Sequence, residues 1–312
     1  MPRPTYRLLA SAALLAAVWF QIDGVAMARS WPPARGLDVA AGAALSLVGL
    51  AIQWRKWHRL LVAVRPGSAP GESLRSLLGG FSLGLLSPGR VGELGRGLFL
   101  PDRRVPASAA ALCDRATSFG VTVVLGLAGL AVSEPRSALA AASGLAVALT
   151  LGWVIGRRPR TWRWTRLEAT RRHLTRAVVA LRDIGPRGWG RAAAWSLAFN
   201  AVFLAQFYLF VRAWGPVPLS LLPYIPAIFA AKAVLPIGFG DLGPREAAAV
   251  FIFSRLGLDP MVGLNAALLI FVTNVVAPAL AGAAAAYLPA RQPVRADAAP
   301  GLRPQGASNQ WT

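Results

Sequence analysis

Ser87-Pro88-Gly89-Arg90-Val91-Gly92-Glu93-Leu94-Gly95-Arg96 and Pro236-Ile237-Gly238-Phe239-Gly240-Asp241-Leu242-Gly243-Pro244-Arg245-Glu246 place proline, glycine and charge inside stretches otherwise built from apolar residues. Each motif breaks a hydrophobic segment and frees backbone groups that lipid cannot satisfy. A bilayer tolerates this only where protein or trapped water surrounds the break. Ionisable groups at such a depth are candidates for function.

The apolar setting is plain from the rest of the chain. The 312 residues are 55% hydrophobic and 15% charged, with a mean hydropathy of +0.50. Residues 137–156, 192–211 and 260–290 run without a charge, and about 20 apolar residues suffice to cross a membrane. The sequence therefore predicts an all-α, polytopic membrane helix bundle of six to eight spans. Two re-entrant or broken helical segments interrupt it, and the matching plan of the halves suggests an inverted repeat. Residues 1–288 form the transmembrane domain, and the Pro/Ala/Gln/Ser-rich tail 289–312 is expected to be disordered. The segment from Leu8 to Ala28 follows Arg3 and Arg7 and reads as a first span, with Ala26-Met27-Ala28 as an alternative signal-peptide cleavage site.

A net charge of +20 would suggest nucleic acid in a soluble protein, but its distribution excludes that partner. Residues 157–191 carry eleven arginines against Glu168 and Asp183, and Arg55, Lys56, Arg59 and Arg65 follow a segment ending at Trp54. Both read as basic loops, placing them and the N-terminus on the cytoplasmic side of the cell membrane. Such loops also attract anionic headgroups, at about 1 kcal/mol per cation near the surface. Cys113 is the single cysteine, and His58 and His173 fall in the two basic stretches away from any ligand cluster. No metal site and no cofactor is expected.

Within the first motif, Arg90, Glu93 and Arg96 are three apart and share a face if helical. Glu93 can then hold both guanidinium groups while they meet an anion. In the second, Pro244 at a first helical position puts Arg245 and Glu246 in the opening turn, where a helix N-terminus also favours anions. Asp241 is a cap, counter-ion or proton carrier. Lys232 precedes Arg245 by roughly three helical turns. The headgroup- or anion-binding candidates are thus Arg90, Arg96, Arg115, Lys232 and Arg245, with Glu93, Asp114, Asp241 and Glu246 as orienting or counter-charges. Pro88, Gly89, Gly92, Pro236, Gly238, Gly240, Gly243 and Pro244 break the helices. Two patterns mislead. Gly238 to Gly243 matches a dinucleotide loop, yet it lies between membrane segments rather than in a βαβ unit. Gly80-Phe81-Ser82-Leu83-Gly84 matches a nucleophile elbow, yet no histidine is expected in a membrane segment to activate Ser82.

Pro88-Gly89-Arg90 with Gly92-Glu93 and Arg96, the pair Asp114-Arg115, and Gly243-Pro244-Arg245-Glu246 resemble the flippase-like membrane family of the lysylphosphatidylglycerol synthase transmembrane region, from about Leu8 to Leu288. The chain departs from that pattern where Asp114 replaces a glutamate, Asp241 a glycine and Pro244 a valine. The resemblance implies a non-catalytic domain that moves a lipid between leaflets, with the arginines and acids lining a headgroup cavity for a phosphate-bearing or aminoacylated lipid. Arg90, Arg96 and Arg245 would meet the phosphate and Arg115 would complete the Asp114 pair. Some relatives are associated with hopanoid or polyprenyl-phosphate pathways. A separate lipid-synthesis enzyme or glycosyltransferase is the expected protein partner. The alternatives are a scaffold for such an enzyme, or a membrane enzyme using Glu93 or Asp114 as base.

Overall fold

The computed structural model describes residues 35–87, 89–157, 168–234 and 242–287; every regular element among them is helical. The expected first span, the Trp31-Pro32-Pro33 turn, Pro88, Pro236, Gly238, Gly240, Asp241, most of the arginines between 157 and 167, and the tail lie outside the described residues.

Long helices form the frame. They are α1 (Gly36–Val64), α3 (Arg104–Ser133), α4 (Pro135–Arg157), α5 (Glu168–Arg212) and a final run made of α8 (Pro260–Phe271), a π turn (Val272–Val276) and α9 (Ala277–Tyr287). Among the described residues, Gly36–Val64, Arg104–Ser133, Arg172–Arg212 and Pro260–Ala285 are long and apolar enough to cross a membrane. Gly185, at φ 62°, and Pro186 break α5. Before the break Ala180 and Ile184 are buried while Arg172, Arg176 and Arg182 are exposed, so residues 168–184 form an amphipathic helix within the basic stretch. The π turn has a local cause. Pro278 lacks the N–H that would bond the carbonyl of Asn274, and the turn before it widens.

Named contacts fix the direction of the two central helices. The start of α1 meets the end of α5, with Arg35 N–H on the Ala213 carbonyl and Arg212 paired to Asp38. Further along, Ser46 meets Gln206 at 2.6 Å and Lys56 meets Ser196 at 2.8 Å. These helices are antiparallel.

Between the long helices lie two hairpins that do not cross. The first consists of α2 (Pro70–Leu85), a turn, and a 3₁₀ helix (Val91–Phe99). Arg65 ties its two ends together by pairing with Glu72 at the start of α2 (2.6 Å) and with Asp102 just after the 3₁₀ helix. The second consists of a 3₁₀ turn (Leu219–Tyr224), α6 (Ile225–Val234) and α7 (Pro244–Arg255). Glu134 ties this one. It accepts from Tyr224 Oη at 2.9 Å and pairs with Arg255 at 3.0 Å. Arg65 follows α1 and Glu134 follows α3, at opposite faces of the bundle. Each hairpin therefore enters and leaves on one face, and the two faces differ.

The halves correspond element by element: long helix, short descending helix, short return helix, long helix. They also exchange partners, for α2 packs on α9 while α6 packs on α3. Close approaches show it. A Cβ on Gly282 would meet the Leu78 carbonyl oxygen at 2.0 Å, and one on Gly126 would meet the Ala230 Cβ at 2.3 Å.

Two expectations need correction. Arg55, Lys56 and Arg59 are not in a loop, because α1 continues to Val64. Trp57, Leu60, Leu61 and Val64 recur at helical spacing and are buried, so burial of that stripe carries the helix about three turns further. His58 consequently lies inside α1 rather than outside the membrane segments. After the 3₁₀ turn that holds Pro223, α6 is only ten residues long, about half a membrane thickness.

Candidate functional site

The first hairpin is shaped to seat charge. Gly80 and Gly84 lie one turn apart on α2, and Cβ atoms there would fall 2.4 Å from Arg96 Cγ and 2.8 Å from Glu93 Cγ. The apparent nucleophile elbow is thus a groove for two charged side chains. Ser82 Oγ donates to the Ala279 carbonyl at 2.6 Å and joins α2 to α9. After Gly89, Arg90 adopts a left-handed conformation, φ 56°, unusual for a residue with a Cβ. The 3₁₀ helix that follows eclipses residues three apart, which brings Arg90, Glu93 and Arg96 together.

Glu93 is the hub. It pairs with Arg90, with Arg96 Nη2 at 2.9 Å and with Arg115 Nε at 3.4 Å. Arg96 continues the chain through Nη1 to Asp114 Oδ2 at 2.7 Å, and Asp114 Oδ1 takes Lys56 Nζ at 2.7 Å. Lys56 also reaches Ser118 Oγ at 2.8 Å. The Arg96 guanidinium lies 5.1 Å from the Trp57 ring centroid and 5.8 Å from that of Phe81. Arg96 is 1% exposed. Asp114 and Arg115 do not pair with each other. Neighbours on a helix point about 100° apart, so Arg115 turns to Glu93 and to the Arg90 carbonyl (3.0 Å), and Asp114 turns to Arg96 and Lys56.

The second hairpin presents Gly243, at φ 115°, then Pro244 at the first position of α7. Glu246 closes the turn by accepting the Gly243 N–H at 2.8 Å, and its other oxygen holds Arg245 Nε at 3.0 Å. Arg245 is fully buried.

The turn of the first hairpin and the facing ends of α6 and α7 border one cavity of about 430 Å³. Arg90, Glu93, Arg115, Lys232 and Arg245 line it, with Gly89 and Pro244. Asn200 and Asn274 add polar groups, and Phe119, Phe199, Phe203 and Phe229 form an apolar wall. The sequence candidates therefore divide. Arg96, Asp114 and Glu246 stand behind the cavity and hold the groups that face it. Gly92 contributes a close contact, since a Cβ there would meet the Leu83 carbonyl oxygen at 2.1 Å. Among the described residues no group of three His, Cys, Asp or Glu side chains could hold a metal.

The sequence reading missed Lys56, Arg65 and Glu134. Lys56 carried a signal, being one of only two lysines and lying in an apolar helical stripe. Arg65 and Glu134 look like ordinary interfacial charges until the hairpins are seen. Both lie outside the spanning helices. The Glu72 carboxylate raises the pKa of Arg65, with Asp102 adding to the effect. The Ser137 hydroxyl, then that of Tyr224 and the Arg255 charge, hold the Glu134 carboxyl below its usual value.

A polytopic helical membrane protein with a charged cavity between two opposed hairpins is the class that fold and site define. Residues 6–282 match the family described as the lysylphosphatidylglycerol synthase TM region, and the chain belongs to that family. No curated protein and no solved structure shows a significant match to the chain.

Proposed function

We propose that this protein moves a lipid with a phosphate-bearing or aminoacylated headgroup from one leaflet to the other, without chemistry on the lipid. One observation carries the reading: two hairpins reach from opposite faces to a single cavity that combines guanidinium and ammonium groups with an aromatic wall. Broken helices in matching positions of two halves, meeting at a central site, are the architecture that alternating access uses. The carboxylate facing the cavity, Glu93, is held by three arginines, which favours orientation over general-base work. Arginine suits phosphate oxygens because it offers a planar fork of donors.

The Arg65 face is cytoplasmic in this reading. Arg103 and Arg104 lie there, and His173 and Arg176 of the amphipathic helix border the same hollow as Asp102 to Pro106. The positive-inside rule assigns such a face to the cytoplasm. The cell membrane is the setting, and a separate lipid-synthesis enzyme supplies the cargo. Reconstituted vesicles containing headgroup-labelled lipids test transport. Movement faster than in empty vesicles supports the reading, and equal rates across anionic and aminoacylated lipids end it.

A further inference from the structure

Besides its charged groups, the cavity has a neutral polar side whose hydrogen bonding is incomplete. Gln53 borders it from α1, and the Gln53 amide makes no hydrogen bond among the described residues. Asn274 commits its Nδ2 to Gln206 Oε1 (2.8 Å) and Thr273 Oγ1 (3.2 Å), which leaves its Oδ1 as an acceptor. Ser118 Oγ receives Lys56 Nζ at 2.8 Å, and its own hydrogen stands without an acceptor among the described residues. Thr122 and Asn200, by contrast, satisfy each other at 3.1 Å. Resting on the transport reading, we propose that the cargo is a phosphodiester lipid whose headgroup carries several free hydroxyls, as glycerol or a sugar does, and that Gln53, Ser118 and Asn274 recognise them.

The inventory of donors and acceptors separates the classes. An amide donates and accepts, Asn274 Oδ1 accepts, and the Ser118 hydroxyl donates. Phosphate oxygens only accept, so a bare phosphate would leave Asn274 Oδ1 and Gln53 Oε1 unpaired. An ammonium only donates, so it would leave the Gln53 and Ser118 donors unpaired. Each desolvated group without a partner is costly. Hydroxyls do both and match all three residues. Placement agrees. Arg115, Ser118, Phe119 and Thr122 follow the spacing of one helix face, so Ser118 lies one turn from a cation of the cavity. Gln53 lies one turn before Lys56, the residue that holds Ser118. Asn274 is joined through Gln206 to Ser46 (2.6 Å), two turns before Gln53 on α1. The groups are thus spread over roughly 10 Å, which suits several hydroxyls better than one. Phe199 stacks on Phe203 at 5.5 Å, and Phe203 meets Phe229 edge-on at 4.5 Å, giving an apolar side for the carbon face of a polyol and the first segment of a lipid chain.

The test is binding, measured apart from transport. The purified full chain in phosphatidylcholine nanodiscs is titrated with phosphatidylglycerol and with phosphatidylpropanol, which has the same charge and no hydroxyl. Phosphatidylethanolamine supplies an ammonium instead, and glycerol 3-phosphate is the soluble probe. Native mass spectrometry reads occupancy. Phosphatidylglycerol should bind about tenfold tighter than phosphatidylpropanol, the gain of one to two neutral hydrogen bonds. Gln53→Leu and Ser118→Ala should each lower phosphatidylglycerol affinity more than phosphatidylpropanol affinity and so narrow that gap. Gln53 bonds to nothing in the fold, so Gln53→Leu should keep the thermal midpoint. Equal affinity for the two lipids overturns the proposal, as does a loss that is the same for both lipids in both variants. Phosphatidylethanolamine or glycerol 3-phosphate binding as tightly as phosphatidylglycerol overturns it too. Hydroxyl-dependent affinity without movement in vesicles keeps this proposal and removes the transport reading. Movement of both lipids at equal affinity does the opposite.

Discussion

At the scale of single residues, the site is a chain of alternating charge: Lys56, Asp114, Arg96, Glu93, then Arg90 and Arg115. A buried chain of this kind is weak evidence for net stability, but removing one link exposes its partners to an uncompensated field. Asp114→Asn leaves Lys56 and Arg96 facing a neutral amide and should cost about 3–5 kcal/mol, read as a large drop in thermal midpoint in detergent. Lys56→Met added to Asp114→Asn removes one of the stranded cations and should recover part of that loss. A neutral effect of Asp114→Asn would show that the ion pairs contribute little. Gly92 fails for a steric reason. Alanine there meets a backbone carbonyl at 2.1 Å, and no rotamer relieves it, so Gly92→Ala should destabilise by about 1–3 kcal/mol.

At the scale of elements, each hairpin hangs from one charged residue. Arg65 fastens the first and Glu134 the second. Arg65→Ala should raise hydrogen exchange in residues 70–99 and leave residues 225–255 unchanged, with Glu134→Ala producing the reverse pattern. A uniform rise in either variant would mean that the fasteners stabilise the whole bundle. The Glu134 fastener also has a pH signature. Its folded-state pKa is lowered from 4.5, so its stabilisation is complete above about 4.5 and fades as pH falls through the lowered value. Glu134→Gln should flatten the acid limb of the melting-temperature profile below pH 4.5 and leave Arg65-dependent protection intact. The elements themselves were legible to different degrees. The long helices follow from length and apolarity, and Pro244 with Glu246 gave the start of α7. Lys56 was read as a loop residue because charge usually ends a span, and only the buried stripe Trp57, Leu60, Leu61 and Val64 shows that the helix continues. The Arg115–Glu93 contact was hidden because it depends on how a 3₁₀ helix meets α3, and no spacing in sequence encodes that.

At the scale of the whole molecule, the exchange of partners between halves is what makes two hairpins into one site. Because α1 and α5 run antiparallel, the units that follow them enter from opposite faces. The descending short helix of each half, α2 or α6, then packs on the last long helix of the other half, and groups from both hairpins line the same cavity. Neither half could build the cavity alone: one supplies Arg90, Glu93 and Arg115, the other Lys232 and Arg245. The arrangement makes a topological demand that labelling can check. Cys113 is buried, so Cys113→Ala gives a background without thiols. In it, Ala69→Cys and Pro101→Cys mark the two ends of the first hairpin, and Ser220→Cys and Ser254→Cys mark those of the second; all four positions are exposed. A membrane-impermeant maleimide should label Ser220→Cys and Ser254→Cys in intact cells, and Ala69→Cys and Pro101→Cys only after permeabilisation. Reversed sidedness would move the cytoplasmic assignment to the other face and keep the hairpins. Labelling of Ala69→Cys and Pro101→Cys from opposite faces would instead make the first hairpin a crossing, and the opposed-hairpin cavity would fall with it.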